Sequence, residues 1–243
     1  MLFDILPWNV PLHPQGRLVL ATGRAFRAVQ PYLEQIPVNA PYILLNGALI
    51  MDEQGKIQYC AGMPADTVAL IETALSKFSQ IGCEIFLSDH ILVRRMSEVT
   101  AHHMEVLHLS YTMVSQDELD DPGAWCQINF TGEPETIKNV RRFVQSYGER
   151  FYTASSLPTF CEITRPNVHK GSALQRIVEI CGIEKQNVFA IGDSHNDSML
   201  LQAAHLGFAP GNAVNEILQC ADVIVSDNNH DAIAEVINYL EAF

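Results

Sequence analysis

Gly192-Asp-Ser-His-Asn-Asp197 sets two carboxylates four residues apart with an amide between them. Before it, Val188-Phe-Ala-Ile191 is apolar and rich in β-formers, and after it Ser198-Met-Leu-Leu201 continues an apolar helical segment. The pattern predicts a buried strand that ends in acids at a strand-to-helix turn, where an open α/β sheet holds its ligand. Two acids on such a turn can face one hard cation, directly or through water. The same residues also suit an Asp/Asn-rich turn with a helix cap. Lys170 opens another helical stretch that runs to Cys181 and closes at Gly182. A cation at a helix start opposes the macrodipole unless a phosphate or carboxylate lies nearby; an exposed lysine is the alternative. Thr22 follows the apolar run Leu18-Val-Leu-Ala21 and precedes Gly23, Arg24 and an amphipathic stretch. Its hydroxyl and the next backbone N–H groups suit phosphate oxygens, or a simple N-cap.

These residues need elements to carry them. Residues 18–21, an amphipathic stretch from 25 to about 36, and the apolar run 42–45 ending at Asn46-Gly47 read as a parallel strand-helix-strand unit. Residues 48–60 alternate around Asp52-Glu-Gln-Gly55 and read as a hairpin. From 63 to 157 the rhythm changes. Helices over about 65–80, 97–107 and 134–147 mix with strands near 84–87, 91–94, 124–130 and 150–154, which suggests a separate α+β module. The α/β rhythm then resumes with a helix over 170–181, strands near 188–191, 207–209 and 222–226, and helices near 197–204, 213–219 and 230–242. The expected architecture is a discontinuous α/β core, 1–62 with 158–243, split by an insert over 63–157.

Composition narrows the classes of function. The chain has 243 residues, 48% hydrophobic and 18% charged, which suits a compact fold. A formal net charge of −13 argues against nucleic acid as the main partner. Six scattered cysteines without a CxxC pair suggest a reduced, cytoplasmic setting rather than a zinc site. Neither a cleavable signal peptide nor a run long enough for a bilayer stands out, so no membrane partner is expected. GxGxxG and GxxxxGK[ST] runs are absent from the sequence, which weakens dinucleotide and P-loop readings. Arg94-Arg95, His102-His103 and His108 could meet a phosphorylated or acidic substrate, although ordinary surface placement suits them better.

Four segments in order carry a family likeness: Val19-Leu-Ala-Thr-Gly-Arg24, Asn46-Gly47-Ala48, Glu162-Ile163 through His169-Lys170-Gly171, and Gly192–Asp197 with Asn212-Ala213. Placed around an inserted module, they resemble the haloacid dehalogenase-like (HAD) phosphatases, and most of all the Cof-type branch. The resemblance implies a three-layer, Rossmann-like parallel-sheet core with an α+β cap. It also implies a Mg²⁺-dependent phosphatase for a small phosphorylated metabolite such as a sugar phosphate, working through an aspartyl-phosphate. By that likeness Asp193 and Asp197 would serve the metal, the latter mainly through water. Lys170 would neutralise the transferring group, and Asn196 would bond the phosphate or orient the acids. Thr22, Gly23, Arg24, Asn46 and Gly47 would line the phosphate or substrate site.

One segment departs from the family pattern. The nucleophile would come from an N-terminal DxDGT, and here residues 4–8 read Asp4-Ile-Leu6-Pro7-Trp8. By the resemblance Asp4 keeps the position of the nucleophile and metal ligand, and Leu6 could still offer its backbone carbonyl to the metal. Leu6 cannot protonate a leaving group or activate water, help worth about 10²- to 10⁴-fold. Residues 5–17 hold Pro7, Pro11, Pro14 and Gly16, so the crossover should be a loop and not a helix. The thinned sheet face would then rely on Trp8 and Leu12, or on a second subunit, for cover; left uncovered it would favour association into a homo-oligomer. A catalytically impaired protein that binds phosphate ligands or a partner is therefore the rival expectation.

Overall fold

The computed structural model describes residues 16–33, 35–36, 38–119 and 121–241. Asp4, Leu6, Trp8, Leu12 and the Pro-rich crossover through Pro14 lie outside the described residues.

The chain first builds a small antiparallel sheet after helix α1 (Phe26–Leu33), in the order β1 (Tyr42–Leu44), β2 (Leu49–Met51), β3 (Ile57–Cys60). Pro31 lies inside α1 and removes a backbone donor, and the helix ends two residues later, short of residue 36. Both faces of β1 and β2 are buried, with a clean division of labour. Ile43 pairs with Ile50 and faces Ala173, Leu174 and Ile177. Tyr42, Leu44, Leu49 and Met51 face Phe86, Ile91 and Val93 on the other side. Leu20–Thr22 run parallel to β1, with Ile43 N–H donating to Leu20 O and Thr22 N–H to Ile43 O, both at 2.8 Å. The expected strand at 18–21 is thus reduced to a bridge at Ala21.

The middle of the chain makes a six-stranded sheet. Its elements are α2 (Thr67–Lys77), β4 (Gly82–Phe86), β5 (Ile91–Arg95), α3 (Glu98–Val106), β6 (Thr112–Met113), β7 (Gln127–Thr131), α4 (Pro134–Gln145), β8 (Tyr152–Ala154) and β9 (Phe160–Thr164). The strand order is β6-β5-β4-β7-β9-β8. One face packs Ile81, Cys83, Ile85, Ile128, Phe130, Cys161 and Ile163 beneath α2 and α4. The other face carries the buried polar row Glu84, Asn129 and Glu162, neighbours across three strands. Strand β9 lies beyond residue 157, where the sequence places the end of the insert. It and β6 are unannounced in the sequence, because Glu162 interrupts one short apolar run and β6 has only two residues.

The last part alternates α5 (Lys170–Cys181), β10 (Phe189–Ile191), α6 (Ser198–Ala203), β11 (Leu206–Pro210), α7 (Asn215–Cys220), β12 (Val223–Val225) and α8 (Ala232–Glu241). Strands β10, β11 and β12 are parallel in that order. Along β11, Phe208 packs toward Ala232 and Val236 of α8, and Ala209 packs toward Leu201 and Ile217 of α6 and α7. Helices therefore cover both faces, giving the three-layer α/β arrangement. Among the described residues no helix is long and apolar enough to cross a membrane. All six cysteines are free thiols.

Candidate active site

The site grows from the end of β10. Gly192 N–H donates to Phe208 O at 3.1 Å, which holds the turn on the neighbouring strand. A Cβ at Gly192 would lie 2.4 Å from Asp197 Cβ, so only glycine lets the turn close this tightly. Asp197 folds back over it: its Oδ2 accepts the N–H groups of Asp193 and Ser194, each at 3.1 Å. Its Oδ1 accepts from Lys170 Nζ at 2.6 Å. Both side chains are buried, at 6% and 7% exposure. The anion that a lysine at a helix start requires is therefore Asp197.

The start of α5 is capped by His169, whose Nδ1 accepts the Ser172 N–H at 3.1 Å. Burial holds the imidazole below its usual range, which suits a neutral, accepting ring. Gly47 braces this cap from the other side. It has φ +95°, and a Cβ there would lie 2.4 Å from His169 O. Gly47→Ala is accordingly expected to lower stability by about 1–3 kcal/mol, from the strained backbone plus a clash with a carbonyl. Denaturant titration would read this as a lower midpoint with unchanged slope.

Asp193 differs from Asp197 in its partners. Both Asp197 oxygens are occupied, whereas Asp193 forms no ion pair among the described residues. Burial raises the Asp193 carboxyl above its ordinary range, and the Asp197 charge adds to this; Lys170 and a Ser194 hydrogen bond act the other way. A neighbouring cation would relieve that cost.

Asn196, on the same turn, is buried and donates from Nδ2 to Asn46 Oδ1 at 3.0 Å. Asn46 adopts φ 53° and its backbone N–H donates to Thr22 O at 3.1 Å. The Asn46 side chain also lies against Gly23, where a Cβ would come within 3.1 Å of it. Thr22 Oγ1 accepts the Arg24 N–H at 3.1 Å, and the Arg24 guanidinium sits 6.0 Å from the Tyr32 ring centre. Direct contacts thus join the 22–24 turn to Asn46 and on to Asn196, and join Lys170 to Asp197. Asp4 and Leu6 lie outside the described residues.

The distal groups sort differently. His195 pairs with Glu216 at 2.7 Å on the exposed surface. Arg94 is bidentate to Glu72, and Arg95 donates to the carbonyls of Leu75 and Phe78. His103 instead bonds the buried Glu84 at 3.0 Å. Glu84, Gln127 and Asn129 are among the buried polar residues to which sequence reasoning assigned nothing. The available signal was the polar alternation Gln127-x-Asn129-x-Thr131 in a strand whose other side chains are apolar.

An all-oxygen donor set suits a hard cation. Among the described residues Asn196 Oδ1 is buried without a hydrogen-bond partner, and the Asp193 carboxylate stands near it in sequence on the same turn. Among the described residues no cluster of three or more His, Cys, Asp or Glu suited to a metal forms. One carboxylate with an amide oxygen still fits Mg²⁺, which binds through one or two carboxylates and keeps several waters.

A helix-flanked parallel sheet with an acidic turn at one strand end, joined to a mixed module, defines an α/β protein with a ligand site at its sheet. The chain belongs to the haloacid dehalogenase-like hydrolase family, whose sequence model matches residues 13–237. It is similar to the pyridoxal phosphate phosphatase YbhA of Escherichia coli, 25% identical over 240 residues, covering 91% of this chain and 85% of that one. It is also similar to the 5-amino-6-(5-phospho-D-ribitylamino)uracil phosphatase YcsE of Bacillus subtilis, 24% identical over 225 residues, with 91% and 81% covered. The solved structure of a HAD subclass IIB sugar phosphatase matches with TM-score 0.80 at 20% identity, covering 93% of this chain and 86% of that one.

Proposed function

We propose that this protein is a Mg²⁺-dependent phosphatase for a small phosphorylated metabolite, with Asp4 as nucleophile. The observation that carries the reading is the buried Lys170–Asp197 pair held beside the unpaired Asp193 at the end of β10. In this reading Asp193 holds the metal, which when bound supplies Lewis-acid stabilisation of the transferring group. Asp197 supports the lysine and the turn and does not ligate. Lys170 offers the remaining positive charge to the phosphoryl oxygens, and the Thr22 hydroxyl with the N–H groups of the 22–24 turn holds them in place. The six-stranded module acts as the cap that closes over the site and selects the leaving group. Asp4 attacks phosphorus, the P–O bond to the leaving group breaks, and water then cleaves the aspartyl-phosphate.

Leu6 bears on the last proton. Without an acid there, an alkoxide leaving group has no protein donor, whereas p-nitrophenolate needs none. Leu6→Asp should therefore raise turnover of alkyl phosphates by about 10²-fold or more, while p-nitrophenyl phosphate gains only through the water-activation step that the same carboxylate serves. The sequence Leu6-Pro7-Trp8 also favours a second reading, a binding protein with little turnover. A panel of phosphometabolites with Mg²⁺ and with EDTA, beside Asp4→Asn, separates the two. Metal-dependent turnover lost in Asp4→Asn supports the phosphatase; phosphate binding without turnover in any condition supports the second reading.

A further inference from the structure

The buried amides beneath the turn form an oriented chain. Asn196 Nδ2 donates to Asn46 Oδ1 at 3.0 Å. Asn46 Nδ2 donates to Glu162 Oε2 at 2.8 Å and to Gln127 Oε1 at 2.9 Å. Gln127 Nε2 donates to Asn129 Oδ1 at 2.8 Å, and Asn129 Nδ2 donates to Glu84 Oε2 at 3.1 Å. Every member is at most 5% exposed. Both anchors are carboxylates, which only accept when ionised. Ser156 also donates to Glu162, and His103 to Glu84.

Fixed acceptors at two points dictate the direction of every amide. Asn129 must turn its NH₂ to Glu84, so Gln127 meets its oxygen with an NH₂ and shows Asn46 an oxygen. Glu162 independently demands the Asn46 NH₂. Asn46 therefore presents its oxygen to Asn196, and Asn196 must answer with its NH₂. Its own oxygen is left over, and that is the atom buried without a partner among the described residues.

From this we infer that Glu162 and Gln127, backed by Asn129 and Glu84, are positioning residues: they fix Asn46, and through it turn the Asn196 carbonyl oxygen, not its NH₂, to the unpaired side of the Asp193 turn. The inference rests on the proposed function for its catalytic consequence. An acceptor there receives a cation or a water held by one, whereas a phosphate oxygen would need the second N–H of the NH₂ already bonded to Asn46. The Asn196 oxygen accordingly serves the metal side of the site, and only its second N–H is left for the phosphate contact that the family resemblance suggests. Asn46, with both amide ends engaged inside the protein, holds Asn196 and does not touch substrate.

The test uses the full chain with Glu162→Leu, Gln127→Leu and the conservative Glu162→Gln, which can still accept from Asn46. Three readouts are taken: side-chain amide proton exchange by NMR, Mg²⁺ affinity by calorimetry on metal-free protein, and kcat against KM. In the wild type the Asn46 and Asn196 NH₂ groups should exchange slowly. Glu162→Leu should expose them, weaken Mg²⁺ about tenfold or more and lower kcat with little change in KM. Gln127→Leu should act in the same direction more weakly, since Glu162 remains, and Glu162→Gln should restore Mg²⁺ affinity to within a few-fold. Fast exchange of the Asn196 amide in the wild type would overturn the inference. So would unchanged Mg²⁺ affinity and kcat in Glu162→Leu that remains folded, even with a lower Tm. Protected amides that respond to Glu162→Leu, in a wild type that neither binds Mg²⁺ nor turns over, would overturn the functional reading and support the orientation.

Discussion

Lys170→Met should cost both activity and stability, and a second substitution should separate the two losses. Lys170 Nζ sits 2.6 Å from Asp197 Oδ1 with both groups buried. Methionine fills similar space without charge and leaves Asp197 to its two backbone donors. Breaking a buried pair by removing one partner costs about 3–5 kcal/mol. The surviving N–H bonds put this case near the lower end, a Tm fall of roughly 6–12 °C for a chain of this size. Phosphoryl transfer should fall about 10²- to 10³-fold, the usual effect of losing one preorganised charge or donor. Adding Asp197→Asn to Lys170→Met removes the stranded charge, so most of the stability should return. Activity should stay lost, because no ammonium remains to face the phosphoryl oxygens. Thermal unfolding and kcat/KM on the single and double variants check both halves.

Asp193→Asn should do the opposite to the metal-free protein and raise its Tm at pH 7. Burial and the Asp197 charge raise the Asp193 carboxyl, so its ionised form opposes folding. The sign follows from linkage: this group favours the folded state most below its unfolded value near 3.9, and that contribution is lost as pH rises through the raised folded value. The gain from Asp193→Asn is therefore largest above the folded value and fades as pH falls toward 4. Added Mg²⁺ should reverse the ranking. At a hundred times its Kd a ligand stabilises the native state by about 2.7 kcal/mol, and only the wild type should show that gain. Melting curves at several pH values, with EDTA and with Mg²⁺, test both signs.

The sequence was most informative where local chemistry decides structure. Asp193 and Asp197 after a four-residue apolar run mark a strand end, and Gly182 with φ 64° closes α5 at the expected residue. Glycine and paired acids carry such information because few backbone conformations suit them. The least visible parts depend on distant partners. Strand β9 hides because its Glu162 reads as polar loop, yet that carboxylate is satisfied by Asn46, 116 residues away. Likewise Gln127 and Asn129 look like surface residues until β7 is known to be central in its sheet. Long-range amide contacts leave only a period-two alternation in the sequence, and it does not say which face is buried. Lys170 was intermediate: its position announced an anionic partner, but the choice between phosphate and Asp197 needed coordinates.

The most direct measurement is phosphate release from p-nitrophenyl phosphate by wild type and Asp193→Asn, each with Mg²⁺ and with EDTA. The account predicts turnover by the wild type with Mg²⁺ alone, and a loss of at least 10²-fold in Asp193→Asn under the same conditions. Equal rates for the two proteins, or wild-type turnover that survives EDTA, would contradict it.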